Sequence, residues 1–374
     1  MITMKEQKLG GGFRGLQEQA SWVKGQGLWS KQNAVVSCPA GYSEESRSAA
    51  TLLFWGEMSY YSAMSKHVFG PVPSRRLGFS LGVDPVPRKY CNFDCIYCQV
   101  GKTTDKENER RRFFDPEQIV AEVLQEVSGP KHIDIITFSG SGEPTLNKDL
   151  GWMINQLKRS TEIPLAVITN GSLLWVEEVE KDLLPADIVL PSLDAVSEET
   201  FREINRPHLS ISIEKVISGL RSFRKAYKGG IWLEIMFIHG MNDSAEELEK
   251  FREVLGRISF DKIQLNTVTR PAHDKTAKPL NNAELARIGQ ILGGHTEVIC
   301  GFNKRAEGLG IDDWVAAVLA ILDRRSLTID DIVKLTGIPL VEAEERLARL
   351  EQQQFVQVVQ EGETRFYVKR QAPG

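Results

Sequence analysis

Three cysteines stand close together at Cys91, Cys95 and Cys98, separated by three and then two residues within Lys89-Tyr90-Cys91-Asn92-Phe93-Asp94-Cys95-Ile96-Tyr97-Cys98. Thiolates this near in sequence can converge on one metal centre, whereas a disulfide would use two of them and strand the third. Structural zinc normally takes four protein ligands, and no His or Cys follows at a finger-like spacing; the next cysteine is Cys300. An iron-sulfur cluster of four irons can be held by three cysteines, its fourth iron left for another ligand. Plain buried thiols are the remaining option. Ligand count favours the cluster with an open iron. Cys38 is a poor fourth ligand, because nothing around it fixes the backbone.

The spacing, with Tyr97 as the aromatic before the last cysteine, resembles the signature of the radical S-adenosylmethionine (radical SAM) enzymes. The resemblance implies a 4Fe-4S cluster on Cys91, Cys95 and Cys98 whose unique iron is chelated by the amino and carboxylate groups of SAM. It implies a one-electron reductant such as flavodoxin or ferredoxin, reductive cleavage of the sulfonium, and a 5'-deoxyadenosyl radical that abstracts a substrate hydrogen. Tyr97 would lie against the adenine; its alternative is an ordinary core tyrosine.

Such a centre needs strands to carry it and strand ends to surround it. Leu77–Asp84 alternates apolar and small residues as a first strand should, and the cysteine loop opens just after it. Pro116–Leu124 reads as a helix with an early proline. Further strands are expected at Ile133–Ser139, Leu165–Asn170, Asp187–Asp194, Ile231–Ile238 and Lys262–Val268. About six βα units in succession predict an α/β chain with a parallel sheet curled into a partial (β/α)6 barrel, short of the eight units of a closed one. Chemistry is then expected at the carboxyl ends of the strands.

Those ends carry the residues the resemblance calls for. Gly142-Glu143-Pro144 after the second strand resembles the family's Gly-Glu-Pro motif, which receives the SAM amino group; a turn with a helix-capping acid is the plainer reading. Asn170 closes the third strand, and Ser192 and Asp194 close the fourth, where family members set polar groups against the ribose and carboxylate of SAM. Arg206, in Asn205-Arg206-Pro207, would complete the carboxylate site, and backbone around Leu265 would meet the adenine. No residue is singled out as catalytic. Arg75 and Arg76 either hold a substrate carboxylate or phosphate or are simply solvated. His239 reads more as a capped or solvated histidine than as a proton donor.

Outside this core the chain changes character. Residues 1–63 combine Gly10-Gly11-Gly12 with scattered Trp22, Trp29 and Trp55, show no sustained period, and read as a weakly ordered extension; Met64-Ser65-Lys66-His67 would make a natural start. Residues 64–306 form the expected barrel. Residues 307–374 read as three helices and a β-hairpin, resembling a winged helix. That fold often binds DNA, but its third helix carries Glu342, Glu344, Glu345 and Glu351 beside only Arg346 and Arg349, which disfavours phosphate.

Composition narrows the classes further. The 374 residues carry a formal charge of -4, with 41% hydrophobic content, ordinary for a soluble chain, and no apolar run approaching the roughly 20 residues of a membrane span. Clustered thiols argue for a reducing compartment, hence the cytoplasm. Gly70 through Arg76, the cysteine loop and Gln264–Val268 are most similar to the uncharacterised relatives of the wyosine-base (tRNA imidazoguanosine) synthases, but a second cysteine trio ahead of the first is lacking. The resemblance leaves the substrate unidentified, with RNA and protein as the candidates. Two other functions fit the same cysteines: a redox-sensing DNA-binding regulator, and an activase that installs a glycyl radical on a protein partner.

Overall fold

The computed structural model describes residues 28–31, 34–37, 67–299 and 314–370. It divides into two units, Met1–Lys66 and His67–Gly374. In the first unit, β1 (Leu28–Lys31) pairs antiparallel with β2 (Ala34–Ser37). The rest of the expected extension, the boundary at 307, Cys38 and Cys300 lie outside the described residues.

The second unit is an α/β fold on an eight-stranded sheet ordered β10-β9-β8-β7-β6-β5-β4-β3. Its strands are β3 (Val68–Ser74), β4 (Gly78–Val83), β5 (Ile135–Phe138), β6 (Leu165–Thr169), β7 (Ile188–Pro191), β8 (Gly230–Phe237), β9 (Lys262–Thr267) and β10 (Thr296–Val298). From β4 to β10 every pairing is parallel, while β3 runs antiparallel on the edge. The six strands expected from sequence are β4 to β9. The edge strand β3 was not expected, because Gly70-Pro71-Val72-Pro73 reads as turn chemistry; an edge tolerates proline since one side needs no ladder bonds. The three-residue β10 is too short to announce itself.

Helices α1 (Pro116–Val127), α2 (Leu150–Ser160), α3 (Glu177–Leu183), α4 (Glu198–Ile204), α5 (Ile213–Ala226), α6 (Ala245–Leu255) and α7 (Asn282–Leu292) lie between the strands. Local chemistry starts several of them: Asp115 accepts from the Glu117 amide ahead of Pro116, Ser244 accepts from the Glu247 amide, and Asn281 and Glu284 form a capping box. Alternation along the strands makes two apolar layers. Leu81, Val83, Ile136, Phe138, Val167, Val189 and Leu233 join the helices in the main core. Leu77, Ile135, Ala166 and Leu190 form a separate cluster with Ile168, Ile188 and Trp232 on the opposite face, inside the curl. Each fully buried aliphatic chain contributes about 2 kcal/mol, so the frame holding the strand ends is rigid.

Downstream come α8 (Trp314–Leu322), α9 (Ile329–Thr336), α10 (Leu340–Gln352) and the hairpin of β11 (Val356–Glu361) with β12 (Thr364–Lys369). A Thr328–Asp331 capping box opens α9, and left-handed Gly337 ends it. These elements bridge the two sides of the curled sheet. Arg325 Nη1 donates to the Pro73 carbonyl on β3, Arg324 lies 4.9 Å over the Phe69 ring, and Arg270 just beyond β9 donates to the Ser326 carbonyl.

Candidate functional site

Beyond β4 the chain enters the cysteine loop, which three neighbours hold in place. Lys89 N donates to Ser141 O, Glu143 N to Tyr90 O, and Ile96 N to Ile204 O. Gly142 makes the second contact feasible: a Cβ there would sit 2.2 Å from the Tyr90 carbonyl oxygen. Gly140 takes φ +127°, which lets the chain turn tightly past Asp84.

Each thiol has its own polar neighbour. Asn170 Nδ2 lies 3.8 Å from Cys91 Sγ, Asn205 Nδ2 3.4 Å from Cys95 Sγ, and Lys89 Nζ 3.3 Å from Cys98 Sγ. Burial, then the charge of Glu143, pushes Cys91 up to about 12, and burial followed by Asp194 pushes Cys95 well above the usual thiol value. Cys98 is among the lesser charges acting on both. Thiols of this kind become ligands only when a positive centre replaces their protons.

The strand ends form a ring around the loop. Glu143 is 2% exposed and accepts four hydrogen bonds, from Thr145 N, Thr145 Oγ1, Thr169 Oγ1 and Asn170 N. Its carboxylate therefore caps the short 3-10 helix that begins at Pro144 and ties it to β6. Asn170 Nδ2 also donates to Asn92 Oδ1 at 2.7 Å. Asp194 accepts from Tyr97 Oη at 2.5 Å, Asn205 Nδ2 at 2.7 Å and Met236 N at 3.0 Å, and burial raises it to about 6. Asn170, Ser192, Asp194 and Asn205 line one small cavity.

The structure thus gathers Cys91, Cys95, Cys98, Tyr97, Gly142, Glu143, Pro144, Asn170, Ser192 and Asp194. Two further expected residues have other contacts. Arg206, at φ +43°, pairs with Asp274 at 2.7 Å, and the Leu265 side chain is fully buried in the helix-facing core while its carbonyl accepts from Ile299 N. His239 is exposed, 3.6 Å from Asp243. Nothing in the sequence alone distinguishes Asn92, Asn242 or Asn205 as individual groups. Asn242 bridges the Asp194 and Met236 carbonyls, and Asn205 joins Cys95 to Asp194. The last of these lay in a motif already noted beside Arg206; only the end of α4 shows which residue turns inward.

The radical SAM superfamily model matches residues 86–253. UPF0026 protein MJ1312 of Methanocaldococcus jannaschii is 42% identical over 238 residues, 63% of this chain and 73% of that protein. A protein named GTPase Obg, from Brachyspira hyodysenteriae, is 44% identical over 223 residues, 60% of this chain, which spans only 33% of that protein. Among solved structures, TYW1 with a lysine-pyruvate adduct bound aligns at a TM-score of 0.46 and 21% identity, covering 62% of this chain and 76% of that one.

Fold and cysteine loop define a radical SAM enzyme, a class that works with a 4Fe-4S cluster and SAM. The chain belongs to the UPF0026 family within it. The donors are of the kind a 4Fe-4S cluster takes, three free thiols from one loop, while among the described residues no group of three or more His, Cys, Asp or Glu side chains, these cysteines included, is gathered closely enough to hold a single metal ion. No helix among the described residues is long and apolar enough to cross a membrane.

Proposed function

We propose that the chain uses SAM-derived radical chemistry to abstract hydrogen from its substrate, with Cys91, Cys95 and Cys98 holding the cluster. Gly142, Glu143, Pro144, Asn170, Ser192, Asp194 and Tyr97 then surround SAM, with Arg206 and the Leu265 backbone at the margin. Bound there, the cluster and SAM supply one-electron cleavage of the sulfonium, and the protein supplies orientation. Glu143 fixes the Gly-Glu-Pro loop so that its backbone groups present themselves to an ammonium. Asn205 and Asn170 orient the thiols, and the apolar group of Ile96, Ile204, Ile238 and Ala277 behind Tyr97 excludes water. The reading rests chiefly on one observation: three half-buried thiols from one loop, each with a polar neighbour, beside strand ends that carry polar groups.

The division into a barrel at 64–306 and a winged-helix-like module at 307–374 belongs to the same proposal. In it the module positions substrate. Glu344, Glu345 and Glu351 are exposed on α10, a poor face for duplex phosphate, while Arg324, Ser326 and Asp331 engage the barrel. The setting is a reducing cytoplasm with flavodoxin or ferredoxin as electron donor, and RNA and protein are the candidate substrates. Protein reconstituted anaerobically with iron and sulfide, then reduced, is expected to form 5'-deoxyadenosine from SAM, and Cys95→Ala to form none. No product from the wild type, with tight salt-dependent duplex binding instead, would move the chain to the regulator class.

A further inference from the structure

Against the strand-end ring lies a second polar group that the proposed SAM site does not use. Arg75 and Arg76 occupy the turn between β3 and β4, Arg270 follows β9, and Arg325 follows α8. Arg76 Nη1 sits 2.7 Å from Glu234 Oε2, and Glu234 also accepts from Asn266 Nδ2 at 2.9 Å. Glu234 is inward on β8, one step before Met236, whose amide reaches Asp194, and level with Ser192 across a β-bridge, so this pair lies against the inner side of the ring. Asp331 serves two partners, Arg270 at 3.5 Å and Arg325 at 3.7 Å.

The charges do not balance. Four guanidiniums (Arg75, Arg76, Arg270, Arg325) share two carboxylates, Glu234 and Asp331. Among the described residues no ion pair or hydrogen bond reaches the Arg75 guanidinium, whose charged neighbours are Arg270, Glu234, Arg76 and Asp331. Arg325 Nε and Ser326 Oγ are buried without a hydrogen-bond partner, and Ser326 is only 5% exposed. Burial, and then the like charge of Arg270, lowers Arg75; burial, and then Arg325, lowers Arg270. Like charges held together in a partly dry seam, with donors left over, suit an incoming anion better than they suit each other.

We infer that this seam binds an oxyanion, a carboxylate or phosphate carried by the substrate, with Arg75 as the principal donor and Arg325 and Ser326 completing the seat. The inference rests on the radical-enzyme reading, since it supplies the group that anchors a substrate beside the proposed SAM site. Arg76 and Glu234 form the floor. The planar fork of Arg75 matches either anion in bidentate fashion, so the chemistry is common to both.

Calorimetric titration of the anaerobically reconstituted protein tests it, with inorganic phosphate in one arm and succinate in the other, chloride holding ionic strength constant. One arm is expected to saturate at one site per chain, which names the group. Arg75→Gln should weaken that binding at least tenfold and Arg75→Lys by less, while Lys215→Gln, on the exposed face of α5, should leave it unchanged. Saturation in neither arm, or equal affinity in Arg75→Gln, overturns the site. SAM cleavage by the wild type is scored separately: cleavage without anion binding removes this inference alone, and anion binding without cleavage removes the enzymatic reading alone.

Discussion

At the strand ends the Glu143 carboxylate takes four hydrogen bonds, Asp194 takes three, and Asn170 and Asn205 spend their amides on neighbours that include two of the cysteines. In the seam with the C-terminal elements, Arg75 makes no ion pair among the described residues, and Arg325 and Ser326 each keep a buried atom without a partner. Both regions are polar and enclosed, yet the ring's two carboxylates are fully engaged, with Asn205 Oδ1 left over, whereas the seam holds more guanidiniums than acids. A saturated network is a frame, costly to disturb and indifferent to small ligands. An unsaturated one stores the donors that a ligand will use.

The comparison is sharpest where a frame residue is removed. Glu143→Ala leaves four donors facing a void and is expected to destabilise the fold by about 4 kcal/mol in denaturant unfolding. A loss under about 1 kcal/mol would show that the ring is not the frame described. Glu234→Ala, which strands the Arg76 guanidinium in a site 15% exposed, should cost about 3 kcal/mol. Burial acts to raise the Glu234 pKa, but Arg76 and Asn266 outweigh it, and the folded value lies below the usual 4.5. A depressed carboxylate contributes stability that is complete above 4.5 and fades as pH falls through the folded value, so Glu234→Gln should flatten the acid limb of the stability curve. An unchanged limb would mean that the pair does not carry that dependence.

Arg324 sharpens the contrast from the other side, since it belongs to the C-terminal elements but serves the frame. Its Nε lies 3.2 Å from Asp84, whose carboxylate also takes the Ser141 amide and hydroxyl beside the Gly-Glu-Pro loop. Arg324→Met is expected to cost about 2 kcal/mol and to speed amide exchange at Ser141; slow exchange there would show that the loop stands without the module. At the small end, Lys181→Ala removes a fully solvated pair with Glu177 and should produce no measurable change in Tm.

The same contrast explains what could be read from the sequence. Six strands announced themselves because buried parallel strands are short apolar runs with polar or glycine ends, and the thiol trio because its spacing is local. The strand-end ring followed from topology, which puts loop residues after β5, β6 and β7 on one side. What stayed hidden depends on partners remote in the chain. Nothing near Arg76 indicates Glu234, Asn205 and Arg206 differ in role only by which way α4 ends, and β3 hides behind two prolines. Leu265 was legible as a strand residue, and its side chain lies in the helix layer, as alternation along β9 requires.

The central claim is that three thiolates hold a four-iron cluster with one iron open to SAM. Electron paramagnetic resonance of the reduced, reconstituted protein tests this most directly, together with iron and sulfide counts. The account predicts about four irons per chain and a spectrum that changes when SAM is added, with both lost in Cys95→Ala. A cluster whose spectrum ignores SAM, or a centre that proves to be zinc, would contradict it.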